Sequence, residues 1–287
     1  MALFEMGLSQ NRIDPCVFTK HVNGVLIGMV FIHVDDIIYT GTPEFCKSMN
    51  EKLKKVFKMS HTEKNHFCYN GIEIQNSRAK GVVKINQTTY VKENMNISLR
   101  STVMSTLAQR KKELQEILGK LLWVSRNTQP GILQQTVTLS QKVTEPTINC
   151  LKEAIGTAQY CFRQVKSFIK ISKLNLDHDL VVYVFCDASP TLKHQPSHLE
   201  YVACLGSIQD PTLAVPLVWI SRKTKRKSKI PLHAEVFAAL EAHDHGTQLS
   251  KFLTSILGKF VGLNVITDSK SLYDNVKSAK AMTQKIL

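Results

Sequence analysis

Two sets of acidic residues sit where their type and spacing could do chemistry. Asp35 and Asp36 are adjacent, between an apolar run at 25–32 and a second at 37–39 that stops at Gly41. Neighbouring carboxylates repel each other and lose hydration unless something positive joins them. A divalent cation does so, and paired carboxylates with magnesium and phosphate oxygens are the arrangement used for in-line phosphoryl transfer. The other reading of the pair is a solvated turn. In the second set, Asp187 follows the apolar run 181–186, and Asp268 follows 263–267. Glu235 lies near the start of an amphipathic helix in the segment 231–236. If the runs before Asp187 and Asp268 are neighbouring parallel strands, both acids reach one sheet edge and the helix can present Glu235 to them. Three carboxylates meeting there would hold a pair of magnesium ions about 4 Å apart. The competing reading is that each aspartate caps the turn or helix after it. For Asp268, which precedes Ser269 and a helix, that competitor is direct.

The elements that must position these acids can be read from periodicity. Residues 14–92 are strand-like. The unbroken apolar run 25–32 has the pattern of a strand buried on both faces, and with 37–41 it makes a hairpin with Asp35 and Asp36 at its tip. Thr42-Pro43 opens a helix whose apolar residues Phe45, Met49, Leu53, Val56 and Phe57 recur at helical spacing. Short strands are expected at 69–74 and 82–86, with a polar turn at 76–81. Residues 93–175 are helix-rich. Leu114, Ile117, Leu118, Leu121 and Leu122 share one helical face, and breaks fall at Pro130-Gly131 and Pro146. The last segment reads as strands 181–186, 200–208 and 214–220, helix 232–247, strand 263–267 and helix 270–278. That order implies a mixed sheet with packed helices, and a mixed α/β (α+β) chain overall.

Composition narrows the classes. The chain has 287 residues, room for two ordinary domains, and a 43% hydrophobic content too high for a disordered chain. Lys and Arg number 37 against 23 Asp and Glu, a net charge of +14 that favours polyanions such as nucleic acid. The stretch Arg222-Lys223-Thr224-Lys225-Arg226-Lys227-Ser228-Lys229 holds six basic residues in eight. It reads as a contact for nucleic-acid phosphates, as a nuclear import signal, or as a basic solvated loop. The seven cysteines show no C-x-x-C spacing, which points to a reducing compartment. No apolar stretch reaches the ~18 residues of a membrane span, and the N-terminus lacks a signal-peptide pattern. The expectation is an intracellular protein, cytoplasmic or nuclear and not secreted, with no membrane partner. His233, His243 and His245 form no His-Glu-x-x-His motif and read as surface or packed histidines, Asp274 reads as exposed, and Trp123 and Trp219 read as core.

Several blocks together carry a family likeness. Phe31-Ile32-His33-Val34-Asp35-Asp36-Ile37-Ile38-Tyr39 resembles the Tyr-x-Asp-Asp box of reverse transcriptases, and its surroundings resemble the copia-like retrotransposon branch. Asp14-Pro15-Cys16-Val17-Phe18 precedes it; Gly71-Ile72-Glu73-Ile74, Gln87-Thr88-Thr89-Tyr90-Val91, Leu118-Gly119-Lys120-Leu121-Leu122-Trp123 and Thr128-Gln129-Pro130-Gly131-Ile132 follow in order. The last third resembles the ribonuclease H domain of these polyproteins. Phe185-Cys186-Asp187-Ala188-Ser189 carries the first acid, Trp219-Ile220-Ser221-Arg222-Lys223 with Ala234-Glu235 the second and Thr267-Asp268-Ser269 the third. His33 stands where the family has tyrosine, and Gln129 and Gly131 where it has Arg and Asp.

The resemblance implies a partial reverse transcriptase palm at 1–95, a helical thumb or connection at 96–178, and a C-terminally truncated ribonuclease H-like domain at 179–287. It implies that Asp35 and Asp36 are palm metal ligands and that Asp187, Glu235 and Asp268 hold a two-ion magnesium (or manganese) site. Arg222, Lys223, Lys225, Arg226, Lys227 and Lys229 would contact nucleic acid. RNA, DNA and RNA–DNA hybrid are the implied partners, along with further polyprotein segments, including those linked to DNA integration, in a cytoplasmic virus-like particle or the nucleus. With a palm acid expected upstream and a later ribonuclease ligand expected downstream, the isolated chain is expected to be inactive or weakly active as an RNA-directed DNA polymerase and ribonuclease H. The alternative is a non-enzymatic remnant, decayed or domesticated, that binds nucleic acid through its charge. Oligomeric state is left open.

Overall fold

Two Asn-Gly pairs decide how the N-terminal strands pair. The computed structural model describes residues 2–57, 62–98, 106–189, 198–224 and 230–286. Asn23 and Gly24 have φ of 50° and 79°, and Asn70 and Gly71 have φ of 48° and 72°. Two successive positive φ angles make the tight turn that matches the twist of a hairpin, and Asn-Gly tolerates them best. The first pair joins β2 (Val17–Val22) to β3 (Val25–His33). With β1 (Ser9–Gln10) and β4 (Asp36–Gly41), these form an antiparallel sheet in the order β1-β2-β3-β4, preceded by the short α1 (Ala2–Glu5). The second pair divides the single strand expected at 69–74 into β5 (His66–Tyr69) and β6 (Ile72–Ser77). The apolar pattern runs through this turn, so periodicity alone conceals it.

The helix opened by Thr42-Pro43 is α2 (Pro43–Val56), whose first turn is capped by the Thr42 hydroxyl accepting from the Phe45 N–H at 3.2 Å. It buries Phe45, Met49 and Leu53. The Phe45 ring fills the space over Gly28, where a Cβ would lie 2.2 Å from Phe45 Cδ1. This is why a glycine interrupts an otherwise apolar strand.

The second sheet is antiparallel, ordered β5-β6-β7-β8, with β7 (Val82–Asn86) and β8 (Ile169–Ser172). Between β7 and β8 come α3 (Thr88–Asn94), α4 (Leu107–Asn127), α5 (Leu133–Ser140) and α6 (Ile148–Arg163). Pro130–Ile132 is a 3-10 turn between α4 and α5. Thr106 and Gln109 form a reciprocal capping box at the start of α4. Leu114, Leu118 and Leu121 of α4 pack with Leu151 and Ala154 of α6 in one core. β8 returns to pair with β7 after these helices.

The third sheet holds the acids of most interest. It contains β9 (Leu180–Ser189), β10 (His198–Ser207), β11 (Ala214–Lys223) and β12 (Gly262–Thr267), ordered β11-β10-β9-β12. β10 is antiparallel to both neighbours, and β12 is parallel to β9. A parallel neighbour requires a crossover, and α7 (Pro231–Leu257) supplies it. Ala234, Ala238, Ala242, Gly246 and Ser250 recur every fourth position along α7, and all are buried. A row of small residues lets the helix lie close on Val182, Val184 and Tyr201. A Cβ at Gly246 would fall 2.6 Å from Leu263 Cδ1. The helix expected at 232–247 thus continues to Leu257, ending on Gly258 in the left-handed conformation (φ 69°). α8 (Lys270–Ile286) follows β12. The chain is therefore a mixed α+β fold, with three sheets among the described residues. Among the described residues, no helix is long and apolar enough to cross a membrane.

Side-chain bonds join the layers. Asn11 donates to the Ser255 hydroxyl at 2.7 Å, and the His21 Nε2 lies 2.9 Å from the Ile256 carbonyl at the end of α7. On the other side, the Trp219 indole N–H donates to the Ser125 carbonyl at 2.8 Å.

Candidate metal centre

The register of β9 against β12 places Cys186 opposite Thr267, so Asp187 and Asp268 are the next residues at the same sheet edge. The close approach of α7, set by Ala234 and Ala238, brings Glu235 to that edge. One carboxylate oxygen from each of Asp187, Glu235 and Asp268 lies within 4.8 Å of the other two. Asp187 and Asp268 are exposed, whereas Glu235 is half-buried, so the cluster is open to solvent on one side.

The capping alternative for Asp268 is answered by its neighbours. The Ser269 hydroxyl accepts from the Leu272 N–H at 3.4 Å, and the Thr267 hydroxyl accepts from the Ser269 N–H at 3.1 Å. The start of α8 is therefore served without Asp268. Asp187 Oδ1 accepts from the Ala188 N–H at 2.7 Å, a contact within its own strand.

The electrostatics favour a cation. Burial, then the charges of Asp187 and Asp268, push the Glu235 carboxyl above its ordinary range, opposed by a hydrogen bond from the Ala188 N–H. The Glu235 Oε2 is buried with no hydrogen-bond partner. A buried oxygen left unpaired carries its full desolvation cost. A hard divalent cation would serve it and its two neighbours together, and an all-carboxylate donor set suits magnesium or manganese. The Cys186 thiol beneath is pushed up to about 11, by burial first and then by Glu235, Asp187 and Asp268. It stays protonated at neutral pH and donates to the Ile266 carbonyl at 3.5 Å.

The hairpin acids are arranged differently. The turn between β3 and β4 is Val34-Asp35, and Asp36 opens β4 opposite His33. Both aspartates are exposed, and among the described residues no third ligating side chain joins them within the spacing that defines the triad. Val34 has φ of 51° and is 82% exposed. A β-branched residue in the left-handed region costs about 1–3 kcal/mol, so this tip is a strained turn. The His33 ring meets the Tyr69 ring edge-on at 6.3 Å, and the Tyr69 phenol is pushed up by burial, then by Asp36 and Cys16.

Of the basic stretch, Arg222 and Lys223 end β11, and Arg222 is ion-paired with Glu241 of α7. Lys225, Arg226, Lys227 and Lys229 lie outside the described residues. Trp219 is half-buried rather than a core residue, because one side of it borders a cleft. Glu200 escaped the sequence reading. It sits directly opposite Asp187 on β10 and accepts from the Ser221 hydroxyl at 2.8 Å. Its signal was an acid inside the otherwise apolar run 199–205.

No family model matches the chain, and no curated protein matches it. Among solved structures it is similar to a foamy viral protease-reverse transcriptase in complex with RNA/DNA hybrid, at 18% identity and a TM-score of 0.49 over 82% of this chain. It is also similar to the foamy viral protease-reverse transcriptase dRH in complex with double-stranded DNA, at 17% identity and a TM-score of 0.47 over 85% of this chain. The chain spans 30% and 40% of those two proteins.

Proposed function

We propose that this chain is a copia-like reverse transcriptase and ribonuclease H segment, and that its hydrolytic centre is Asp187, Glu235 and Asp268. The observation that carries this reading is the convergence of three carboxylates, remote in sequence, around a buried Glu235 oxygen that has no partner. The order of the family-like blocks along the chain supports it. Divalent cations, when bound there, would supply the charge neutralisation that in-line attack of water on a phosphodiester needs.

The chain's own residues have separable tasks. Asp187 and Asp268, fixed by the register of two parallel strands, would hold cations at the sheet edge. Glu235 would close the site from the helix. Arg222 and Lys223, with the basic residues after them, would take the phosphates of an RNA–DNA hybrid, giving binding that weakens steeply with salt. Asp35 and Asp36 belong in this reading to a palm whose further carboxylate is not among the neighbours described. The 1–95, 96–178 and 179–287 division and a cytoplasmic-particle or nuclear location are part of the same proposal.

A titration of the 287-residue chain with Mn2+, alongside a nicking assay on an RNA–DNA hybrid, tests it. Saturable Mn2+ binding should fall by more than about a hundredfold in Asp187→Asn, beyond the ~10–100-fold that losing an outer-shell contact costs. Any Mn2+-dependent nicking should vanish in the same variant. Unchanged Mn2+ affinity in Asp187→Asn would end the hydrolase reading. A second reading, a basic binder without catalysis, is favoured by the unjoined Asp35-Asp36 pair. Salt-sensitive hybrid binding without Mn2+ binding would select it.

A further inference from the structure

Beside Asp187 a cleft of about 400 Å³ opens between the third sheet and the 3-10 turn that precedes α5. Its floor is built from two rows of cross-strand neighbours. Phe185, Val202 and Trp219 are successive partners across β9, β10 and β11, and Asp187, Glu200 and Ser221 form the next row. All six line the cleft. Cross-strand partners share a face, so an apolar, partly aromatic row lies next to a polar row that begins at the metal centre.

The floor is open, although its composition would favour burial. Phe185 is 48% exposed and Val202 is 39% exposed. Contiguous apolar surface of this kind marks a binding place when polar groups border it. The Trp219 ring is fixed by its hydrogen bond to the Ser125 carbonyl of α4, which ties the floor to the helical layer. A rigid ring loses little freedom when something lies against it. Glu200 is held by the Ser221 hydroxyl, and as a carboxylate it can only accept hydrogen bonds.

These features describe the occupant: a flat ring that stacks on apolar and aromatic side chains, an amino group for Glu200, and an anionic group for any cation held at Asp187. A nucleotide has all three. We propose that the cleft receives one unpaired, amino-bearing base of a single-stranded nucleic acid, lying on Phe185, Val202 and Trp219 with its amino edge toward Glu200. This base platform does not rest on the hydrolase reading. The consequence is a sequence preference. Cytosine, adenine and guanine offer an exocyclic amine to a carboxylate acceptor, whereas uracil offers only its ring N3–H.

The test uses free nucleosides, which carry no phosphate and so need no metal. The chain has two tryptophans, so Trp123→Phe leaves Trp219 as the sole fluorescent reporter. Cytidine and adenosine should quench it saturably, and uridine more weakly. Phe185→Ala should weaken cytidine binding by about tenfold or more, the usual loss when a stacking ring is removed. Its exposure predicts an unchanged circular dichroism spectrum. Glu200→Gln should remove the preference for cytidine over uridine while keeping the quench. Should Trp123→Phe fail to fold, the same titration in the native chain reads the Trp219 signal above a constant Trp123 background. Absence of saturable quenching, or quenching that Phe185→Ala leaves unchanged, overturns the proposal whatever Mn2+ does. Quenching with no Mn2+ binding would sink the hydrolase reading alone and leave a base-binding cleft.

Discussion

Asp35 and Asp36 owe their proximity to the chain itself, whereas Asp187, Glu235 and Asp268 owe theirs to a strand register and a helix. The hairpin pair is exposed, beside a strained two-residue turn, and water can screen its repulsion. The triad is different because Glu235 is half-buried, with one oxygen orphaned and its carboxyl pushed up by burial and by two aspartates. A carboxylate pair at a turn costs little to keep empty. Three carboxylates against a packed helix cost more, and a bound cation would offset that cost. The difference teaches that adjacency of acids in sequence is a weaker sign of a cation site than convergence of acids across a core.

Glycine replacements should separate the two regions most sharply. Gly28→Ala would drive a Cβ to within 2.2 Å of the Phe45 ring. Overpacking against a rigid ring should cost about 3 kcal/mol, read as a lower urea midpoint, with Mn2+ affinity at the triad unchanged. Gly246→Ala would instead meet Leu263 Cδ1 at 2.6 Å and Val184 Cγ2 at 2.9 Å, the movable ends of side chains. Its net cost should be smaller, about 1 kcal/mol after the gain in helix propensity. Because it lifts the helix that carries Glu235, it should still lower Mn2+ affinity. If Gly28→Ala weakened the triad as much as Gly246→Ala did, the two regions would not be independent.

A smaller effect tests the repulsion itself. In metal-free buffer, Glu235→Gln should raise the melting temperature by about 2 °C, since a neutral amide no longer faces Asp187 and Asp268. The same change should remove the stabilisation that Mn2+ gives the native chain. A melting temperature lowered in the absence of metal would show that Glu235 is held by favourable contacts instead.

The smallest effect lies behind the carboxylate triad. Tyr201, 3% exposed under α7, has its phenol pushed up to about 12, chiefly by burial, with Arg222 lowering it and Glu241 raising it. The folded chain therefore holds this proton more tightly than the unfolded chain does. The stabilisation is complete below about pH 10, the ordinary tyrosine value, and is lost as the pH climbs toward 12. Tyr201→Phe should flatten that part of the alkaline decline in denaturation midpoints. An identical decline in both proteins would place its cause elsewhere.

Much of the path to the site was readable from residue pattern. The apolar runs before Asp187 and Asp268, the hairpin carrying Asp35 and Asp36, and the capped helix after Thr42 all depend on local periodicity and local caps, which a linear chain displays. Glu200 and the far half of α7 were not readable, since Gly246 and Ser250 look like breaks until a sheet lies against them. The Asn70-Gly71 turn was visible as a dipeptide but hidden by the apolar pattern on either side. What the amino-acid order determined by itself was which residues carry charge and which strands and helices flank them, because propensity and alternation act over a few neighbours. Only the tertiary structure decided that three of the acids meet, that Ser269 rather than Asp268 caps α8, and that Phe185 and Trp219 face an open cleft. Those outcomes follow from strand register and helix packing, where a shift of one residue would turn every side chain to the opposite face.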